Sequence, residues 1–376
     1  MAQFDPTHHP HRRFNPLTNE YILVSPQRSK RPWLGQVEPS QPTDLLQFDP
    51  KCYLCPGNFR AGGEKTEKYE HTYTFENDYA AILPPPVPAP PPVSHPLLTI
   101  QPVSGGCDVL IFHPRHDLTI PRLTLEDISR IIEEWIRIYR KRGAEEGIKH
   151  VQIFENKGSI MGCSNPHPHG QVWSMSSIPT LPSVEIASLI RYSQTEQPPS
   201  DAPKGPDDHP CLLCEYAFTE AKLGERVVVK NQHWVALVPW WATWPFEILL
   251  LPYHRHIPSI FHLTPEENLS FASIISKITI RYDNLFLCSF AYSMGIHQRP
   301  VPLASPEDTD EHDVCHLHLH FDPPLLRSAS VKKFIAGIEL MAEVQRDLTP
   351  EQAAERLRAC SETHYLDKGS EHRGIH

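Results

Sequence analysis

The chain has 376 residues, of which 40% are hydrophobic and 21% charged, and its formal net charge is −10. This length allows two or three compact units, and the acidic charge argues against a general nucleic-acid binder, so we expect no nucleic-acid partner. The apolar runs fall short of a membrane span and the N-terminus is charged, which predicts neither a membrane anchor nor a signal peptide. Nine cysteines without a secretion signal favour metal binding over disulfides, and we expect a cytoplasmic protein.

Four blocks of sequence recur in the same order on the two sides of a proline-rich segment at 193–210. Each side has a CxxC pair, an alternating strand that ends in proline, an apolar strand that runs into histidine, and a strand–turn–histidine strand. An amphipathic helix follows the third block on each side, at 124–143 and at 264–284, and opens with threonine and acidic residues. Four matching blocks in one order indicate a duplication.

Short alternating strands with one long helix in each half predict an α+β fold with mainly antiparallel sheet. Two further helices are expected, one over 330–348 and one that begins in TPEQAAERLRAC. The pattern predicts an N-terminal half, a connector, a C-terminal half and a tail, with the boundaries 1–192, 193–210, 211–365 and 366–376.

The first half carries a candidate zinc site. Cys52 and Cys55 are separated by two residues and suit a chelating turn, and histidines follow in FHPRHD and NPHPHG. Zinc prefers four Cys or His ligands, so we predict Cys52, Cys55, one of His113 or His116, and His167. A site that fastens the histidine strand to the N-terminal turn would be structural. The alternative is a buried apolar CxxC with incidental histidines.

The equivalent residues of the second half are a weaker metal candidate. Cys211 and Cys214 lie at a predicted helix start, where such a pair often only packs in the core. Their partners in a Cys2His2 site would be His254 or His256, together with His316.

Three histidines alternate with apolar residues in the segment VCHLHLHF. His316, His318 and His320 therefore point from one face of a strand. Three satisfied core histidines in a row would be unusual, so the pattern favours a metal or phosphate site.

The segment GCSNPHPHGQVW is built to hold two imidazoles in fixed directions. Histidines two apart project the same way from an extended chain, and proline keeps that chain extended. One of them is free to react, because a neutral imidazole attacks phosphorus well near pH 7. The Gly-rich loop before it suits phosphate oxygens. Gln171, one alternation beyond His169, can hydrogen-bond a phosphoryl oxygen without acting as a base.

The segments FENKGSIMGCSNPHPHGQVW, VPWWATWPFEILLLP, RYDNLFLCSFAYSMG and PPLLRSASVKKFIAGIEL together resemble the galactose-1-phosphate uridylyltransferase family, a branch of the histidine-triad superfamily. The resemblance covers nearly the whole chain. It implies two fused histidine-triad-like halves, with an open half-barrel of mainly antiparallel sheet and flanking helices. It also implies a homodimer that transfers UMP from UDP-glucose to galactose 1-phosphate by a ping-pong route, giving glucose 1-phosphate and UDP-galactose.

The resemblance also implies roles for particular residues. His169 would be the uridylylated nucleophile, and Gln171 would steady the phosphoryl group. The ligands of Zn²⁺ would be Cys52, Cys55, His116 and His167. The ligands of a second metal, Fe²⁺ or Zn²⁺, would be Glu185, His297, His318 and His320. The substrate contacts would be Arg28, Arg31, Asn77, Asp78, Asn156, Gly162, Ser164, Lys333, Phe334, Glu339 and Gln345. The last four of these would reach the neighbouring subunit's site in the dimer.

The sequence departs from the family in three places. Ile338 stands where relatives often have tyrosine, the loop at 298–314 is longer than usual, and the pair Cys211 and Cys214 has no functional counterpart. Two other functions remain open at this point. One is a diadenosine-polyphosphate phosphorylase or adenylyltransferase of the same superfamily, and the other is a non-catalytic zinc scaffold.

Overall fold

The fold is built from fourteen strands and six α-helices within the residues that the structure, a computed structural model, describes, namely 3–30, 45–92, 95–196, 198–301 and 311–367. The strands are β1 (His11–Asn15), β2 (Glu20–Val24), β3 (Tyr73–Glu76), β4 (Gly105–Ile111), β5 (His150–Lys157), β6 (His169–Met175), β7 (Val227–Lys230), β8 (Trp234–Leu237), β9 (Ile248–Pro252), β10 (Tyr292–His297), β11 (His318–Asp322), β12 (Leu325–Ser328), β13 (Val331–Lys332) and β14 (Gln345–Arg346). The helices are α1 (Leu125–Gly143), α2 (Thr180–Ser193), α3 (Leu212–Leu223), α4 (Pro265–Phe286), α5 (Ile338–Met341) and α6 (Pro350–Arg358).

One antiparallel sheet of nine strands joins the two halves, in the order β3-β4-β6-β5-β10-β11-β9-β8-β7. The halves meet where β5 pairs with β10, with Ile153 opposite Ile296. Outward from that pair, the strands β5, β6, β4 and β3 on one side match β10, β11, β9 and β8 on the other. This arrangement confirms the α+β fold of two like halves with mainly antiparallel sheet.

The two long helices cover one face of the sheet and contact each other. Each begins at a threonine N-cap: Thr124 accepts from the amide of Asp127, and Thr264 forms a capping box with Glu267. Trp135 of α1 is fully buried against the sheet. Both predicted helices are confirmed, as is the helix predicted in the TPEQ segment, which is α6. Among the described helices, none is long and apolar enough to cross a membrane.

The central strands are buried on both faces. Leu250 of β9 packs into the larger apolar cluster with α1 and α4, whereas Leu249 and Leu251 pack into a second cluster with α2 and α3. This explains why β9 reads as a continuous apolar run and not as an alternating strand. Cys211 and Cys214 belong to the second cluster.

The helix predicted over 330–348 is wrong. The segment forms β13, the single turn α5 and β14 instead. Gly337 has φ +60° and ψ −117°, which ends any helix at that point. The chain then folds back around Lys333, whose ammonium pairs with Glu339 at 2.5 Å and donates to the carbonyl of Gln345. The apolar spacing is helical, but this ion pair and the pairing of β14 with β2 fix another path.

Candidate active site and metal centres

His169 opens strand β6 in the middle of the first half. It pairs with Ile111 of β4, so its position is set by the sheet and not by a loop. Gly170 follows it because a Cβ there would lie 2.9 Å from the ring of Phe112 and 3.0 Å from the carbonyl oxygen of Phe154. The turn before the strand also needs glycine, since Gly162 lies at φ +81°. The sequence around His169 therefore fixes its backbone closely.

The protonation of the His169 ring follows from one hydrogen bond. Its Nδ1 lies 2.7 Å from the carbonyl oxygen of His167. A carbonyl can only accept, so Nδ1 carries the proton and the neutral ring has its lone pair on Nε2. Burial lowers the pKa of His169, against the opposing effect of this hydrogen bond. The imidazole is thus oriented, and its neutral form is the one that can act as a nucleophile.

A cavity of about 340 Å³ lies in front of His169. Asn156 and Ser164, two of the predicted substrate contacts, line it together with His169. Gly162 lies in the same turn as Ser164, at the end of a short 3-10 helix. The other lining residues come mostly from the end of β5 and the loop that leads to β6. The cavity is large enough for part of a nucleotide sugar and is open to the strand that carries the imidazole.

Two charged residues at the cavity were not singled out from the sequence. Glu155 accepts from Tyr292 at 3.0 Å, and burial raises its pKa to about 7 although Lys157 and Tyr292 oppose the shift. Lys157 is buried and pairs with Asp283 at 2.8 Å. Both residues flank Asn156 in the run FENKG, which was a visible signal in the sequence. A polar run on a strand does not show, however, that Lys157 pairs with Asp283 on the distant helix α4.

Gln171 lies on the same face of β6 as His169, as the alternation predicts. Its carboxamide oxygen accepts from the indole nitrogen of Trp173 at 3.3 Å. The oxygen is therefore occupied on the side of Trp173, and the amide nitrogen of Gln171 is the group that can donate elsewhere.

The predicted zinc ligands of the first half converge. Cys52, Cys55, His116 and His167 are all buried, and their ligand atoms lie within 4.8 Å of one another. Nδ1 of His167 is 3.5 Å from the sulfur of Cys55 and 3.3 Å from Nδ1 of His116. His113, the alternative, contributes its carbonyl oxygen, which accepts from Nε2 of His167 at 2.9 Å. Two thiols and two imidazoles in a closed group fit a metal ion, and the carbonyl supplies the outer contact typical of metal-bound histidine.

A second group of possible ligands is formed by Glu185, His297, His318 and His320. Nδ1 of His297 lies 2.7 Å from the carboxylate of Glu185. Nε2 of His318 and Nε2 of His320 are buried without a hydrogen-bond partner among the described residues. Burial alone would raise the pKa of Glu185, but the histidines lower it to about 2. Two orphaned imidazole nitrogens beside a carboxylate fit a metal ion.

Three of the predicted substrate contacts form a separate group around Lys333. Glu339 binds its ammonium and also accepts from the backbone amide of Gln345 at 3.0 Å. Glu339 lines another cavity, of about 500 Å³, beside the β1–β2 hairpin. Phe334 is 52% exposed nearby. Within the described residues, none of these four lines the cavity at His169.

The remaining predicted contacts lie apart from the cavity at His169 or outside the described chain. Asp78 accepts from the amide of Gly62 at 2.9 Å, and Asn77 caps the turn that follows β3. Arg28 is exposed in a 3-10 turn. Arg31 lies outside the described residues, as does part of the loop at 298–314.

The chain matches known proteins over nearly its whole length. Residues 2–179 match the family model described as Galactose-1-phosphate uridyl transferase, N-terminal domain, and residues 192–369 match the C-terminal domain of the same family. A galactose-1-phosphate uridylyltransferase from Cryptococcus neoformans var. neoformans serotype D is 48% identical over 358 residues, which cover 93% of this chain and 90% of the relative. One from Haemophilus influenzae is 46% identical over 371 residues, with 98% and 99% covered. A solved structure described as "Structure of uridylyltransferase" has a TM-score of 0.69 and 27% identity, covering 93% of this chain and 98% of that one.

Fold, histidine motif and relatives together define an enzyme of the nucleotidyltransferase class, built from two histidine-triad-like halves. The chain belongs to the galactose-1-phosphate uridylyltransferase family. This membership sets aside both alternatives, the diadenosine-polyphosphate enzyme and the non-catalytic scaffold.

Proposed function

We propose that this chain transfers UMP from UDP-glucose to galactose 1-phosphate through a covalent uridylyl intermediate on Nε2 of His169. The observation that carries the proposal is the 2.7 Å hydrogen bond between Nδ1 of His169 and the carbonyl oxygen of His167, at the wall of the cavity. It leaves the Nε2 lone pair as the reactive one. When Nε2 bonds to phosphorus the ring becomes cationic, and the carbonyl dipole stabilises that charge.

The reaction consists of two displacements at the same phosphorus atom. In the first, Nε2 bonds to the α-phosphorus of UDP-glucose while the bond to the bridging oxygen breaks, and glucose 1-phosphate leaves with the electron pair. In the second, a phosphate oxygen of galactose 1-phosphate attacks the uridylyl-histidine, and Nε2 recovers its lone pair as UDP-galactose forms. Gln171 would donate from its amide nitrogen to a phosphoryl oxygen in both steps.

The nucleotide sugar would contact residues of three regions, with Asn156, Gly162 and Ser164 nearest to His169. The further contacts would be Arg28, Arg31, Asn77 and Asp78. Lys333, Phe334, Glu339 and Gln345 would serve the sugar phosphate of the neighbouring subunit in a homodimer. The separation of this group from the cavity of its own chain, within the described residues, supports that assignment.

The two ligand groups would hold different ions. Cys52, Cys55, His116 and His167 suit Zn²⁺, which would fasten the start of β6 to the N-terminal turn. The group of Glu185 with three histidines suits Fe²⁺ or Zn²⁺. The first ion would hold the carbonyl of His167 in place, and with it the ring of His169.

The chain would function as two domains in the cytoplasm. The first is 1–192 and the second is 211–365, with 193–210 as connector and 366–376 as tail. Support for this division comes from the two flanking helices, because α2 ends at Ser193 and α3 begins at Leu212.

Incubation with UDP-glucose alone tests the proposal by intact-protein mass spectrometry. The native chain should gain one UMP, and the mass should be recorded without acid because the P–N bond of a uridylyl-histidine is hydrolysed in acid. His169→Gly should gain none, whereas Gln171→Ala should still gain UMP, more slowly, because it keeps the nucleophile. An adduct that forms equally in His169→Gly would show that another residue is uridylylated. ADP-glucose should give no adduct with any of the three.

A further inference from the structure

A third group of metal-ligand side chains lies in the second half. Its members are Cys211, Cys214, His256 and His316, and their ligand atoms lie within 4.8 Å of one another. Cys211 is the N-cap of α3 and Cys214 lies in its first turn. His256 follows β9, and His316 precedes β11. Three separate segments thus bring two thiols and two imidazoles together.

The rings of this group are oriented as metal ligands are. The sulfur of Cys214 lies 3.7 Å from Nδ1 of His256 and 3.7 Å from Nδ1 of His316. On the far side of each ring, Nε2 of His256 donates to the carbonyl of Asp313 at 2.6 Å, and Nε2 of His316 to that of Pro252 at 2.9 Å. A backbone carbonyl on Nε2 leaves the lone pair of His256 on Nδ1 for an ion, whereas Nδ1 of His316 also accepts from the backbone amide of Ile257. The same pattern holds His167 in the first half.

The strand register provides a reference for comparing the two halves. In the first half, Leu110 of β4 pairs with Gly170 of β6. His116 lies six residues after that leucine, and His167 lies three residues before that glycine. These two offsets define where the histidines of the first metal group stand relative to the sheet.

The second half repeats both offsets. Leu250 of β9 pairs with Leu319 of β11. His256 lies six residues after Leu250, and His316 lies three residues before Leu319. Each half also has its CxxC pair upstream, at the start of a turn or helix. The third group is therefore the duplicate of the first, with all four ligand types kept.

We propose that Cys211, Cys214, His256 and His316 bind a zinc ion in a closed, structural site. Two thiols and two imidazoles select zinc, and four protein ligands complete its tetrahedron without an open position. Binding would release the two thiol protons to solvent. In the structure, Nδ1 of His316 accepts from the backbone amide of Ile257 at 3.1 Å, and the ion would replace this hydrogen bond.

The competing interpretation is that His316 is a metal-free core histidine, bonded to Ile257 on one side and Pro252 on the other. Metal content separates the two. The native protein should carry three ions per chain by elemental analysis. After exchange into Co²⁺, two of the three sites should show thiolate-to-cobalt absorption, since the group around Glu185 has no sulfur.

Two alanine variants provide a matched comparison. Cys214→Ala should lose one ion per chain and about half of the thiolate-to-cobalt absorption. Cys315→Ala should retain both, because Cys315 lies in the same apolar cluster and is 3% exposed but is not one of the four ligands. Equal metal content in the two variants would overturn the proposal.

A double variant tests the site if Cys214→Ala fails to fold. Replacing Cys52 and Cys55 by serine removes the other thiolate site, so about half of the absorption should remain. Complete loss of that absorption in a folded double variant would mean that the third group binds no metal. UMP transfer is not a readout here, so either outcome leaves the proposed function untouched.

Discussion

The carbonyl oxygen of His167 accepts a hydrogen bond from Nδ1 of His169 at 2.7 Å, so a residue of the first ligand group directly orients the imidazole of His169. The second half has the same contact, between the carbonyl of His316 and Nδ1 of His318, also at 2.7 Å. In the first half the oriented ring faces a cavity, and in the second it faces Glu185. The same contact, from a backbone carbonyl to Nδ1 two residues later, thus orients an imidazole in each half.

Replacing His169 by glycine should abolish transfer, because the other imidazole at the cavity, that of His167, belongs to the first ligand group. The loss should be at least about a thousandfold, the scale of removing a nucleophile together with its activation. Far-ultraviolet circular dichroism should remain native, since His169 stands at the first position of β6 and its side chain contributes little packing. Added imidazole should restore part of the activity by occupying the space. Most of the activity surviving in His169→Gly would contradict the assignment.

Replacing Gln171 by histidine should slow transfer by roughly one to three powers of ten, given the ~1.4–4 kcal/mol typical of one well-placed donor. It should also raise the ratio of UDP-glucose hydrolysis to sugar exchange. An amide cannot accept a proton from water, whereas an imidazole can near neutral pH. The measurement is UMP release against UDP-galactose formation in one reaction mixture.

Gln171→Ala is the matched control for this experiment. It should slow transfer as well, because the donor is lost, but without the shift toward hydrolysis. If Gln171→His and Gln171→Ala show the same ratio of hydrolysis to sugar exchange, Gln171 acts only by positioning the phosphoryl group.

Replacing Cys52 and Cys55 by serine should remove one zinc ion per chain. The ligands join the N-terminal turn, the loop after β4 and the start of β6, so the binding free energy is coupled to folding. The melting temperature should fall by at least roughly 5 °C. The metal bound around Glu185 should stay, because no ligand is shared. Unchanged zinc content and melting temperature together would exclude the site.

Replacing Glu351 by glutamine should lower stability at pH 7 by about 1–3 kcal/mol, and the effect should disappear in acid. Glu351 of α6 pairs with Arg13 at 2.9 Å and with Arg226 at 2.8 Å. Burial alone would raise its pKa, but the two arginines lower it from 4.5 to about 2. A carboxyl with a lowered folded pKa stabilises the protein fully above pH 4.5, and this contribution is lost as the pH falls toward 2.

Urea midpoints at pH 7 and pH 3.5 measure that difference. The difference in urea midpoint between the native chain and Glu351→Gln should be smaller at pH 3.5 than at pH 7. Glu355→Gln, at an exposed position on the same helix, is the control and should behave like the native chain at both values. A gap that stays constant between the two pH values would show that Glu351 contributes through packing and not through its charge.

Local patterns predicted the parts of the molecule that are fixed by neighbouring residues. The alternation of His167, His169 and Gln171 places all three on one side of an extended chain, whatever the rest of the fold does. The threonine caps of α1 and α4 are equally local. Spacing alone did not choose between His113 and His116, since both follow the same strand and only the path of the turn decides which ring faces the thiols.

Contacts that do not follow helical spacing explain why the helix predicted over 330–348 does not form. Lys333 and Glu339 are six residues apart, and their pairing requires the chain to fold back at Gly337. The parallel pairing of Gln345 with Leu23 of β2 joins the two ends of the chain. Neither feature leaves a periodic trace in the sequence, so the apolar spacing of 330–348 was misleading. The pairing of Lys157 with Asp283 is hidden for the same reason.

The pairing of β5 with β10 has a consequence for fragments of this protein. Ile153 and Ile296 face each other at that seam, and Ser293 donates to the side chain of Asn156 at 2.7 Å. Separated from its neighbour, either half would expose a strand with a full row of unsatisfied amides and carbonyls flanked by apolar residues. Such an edge recruits other chains, so a half produced alone is expected to self-associate or precipitate. Each half therefore covers the exposed strand edge of the other. We expect that each half needs the other during synthesis to avoid aggregation.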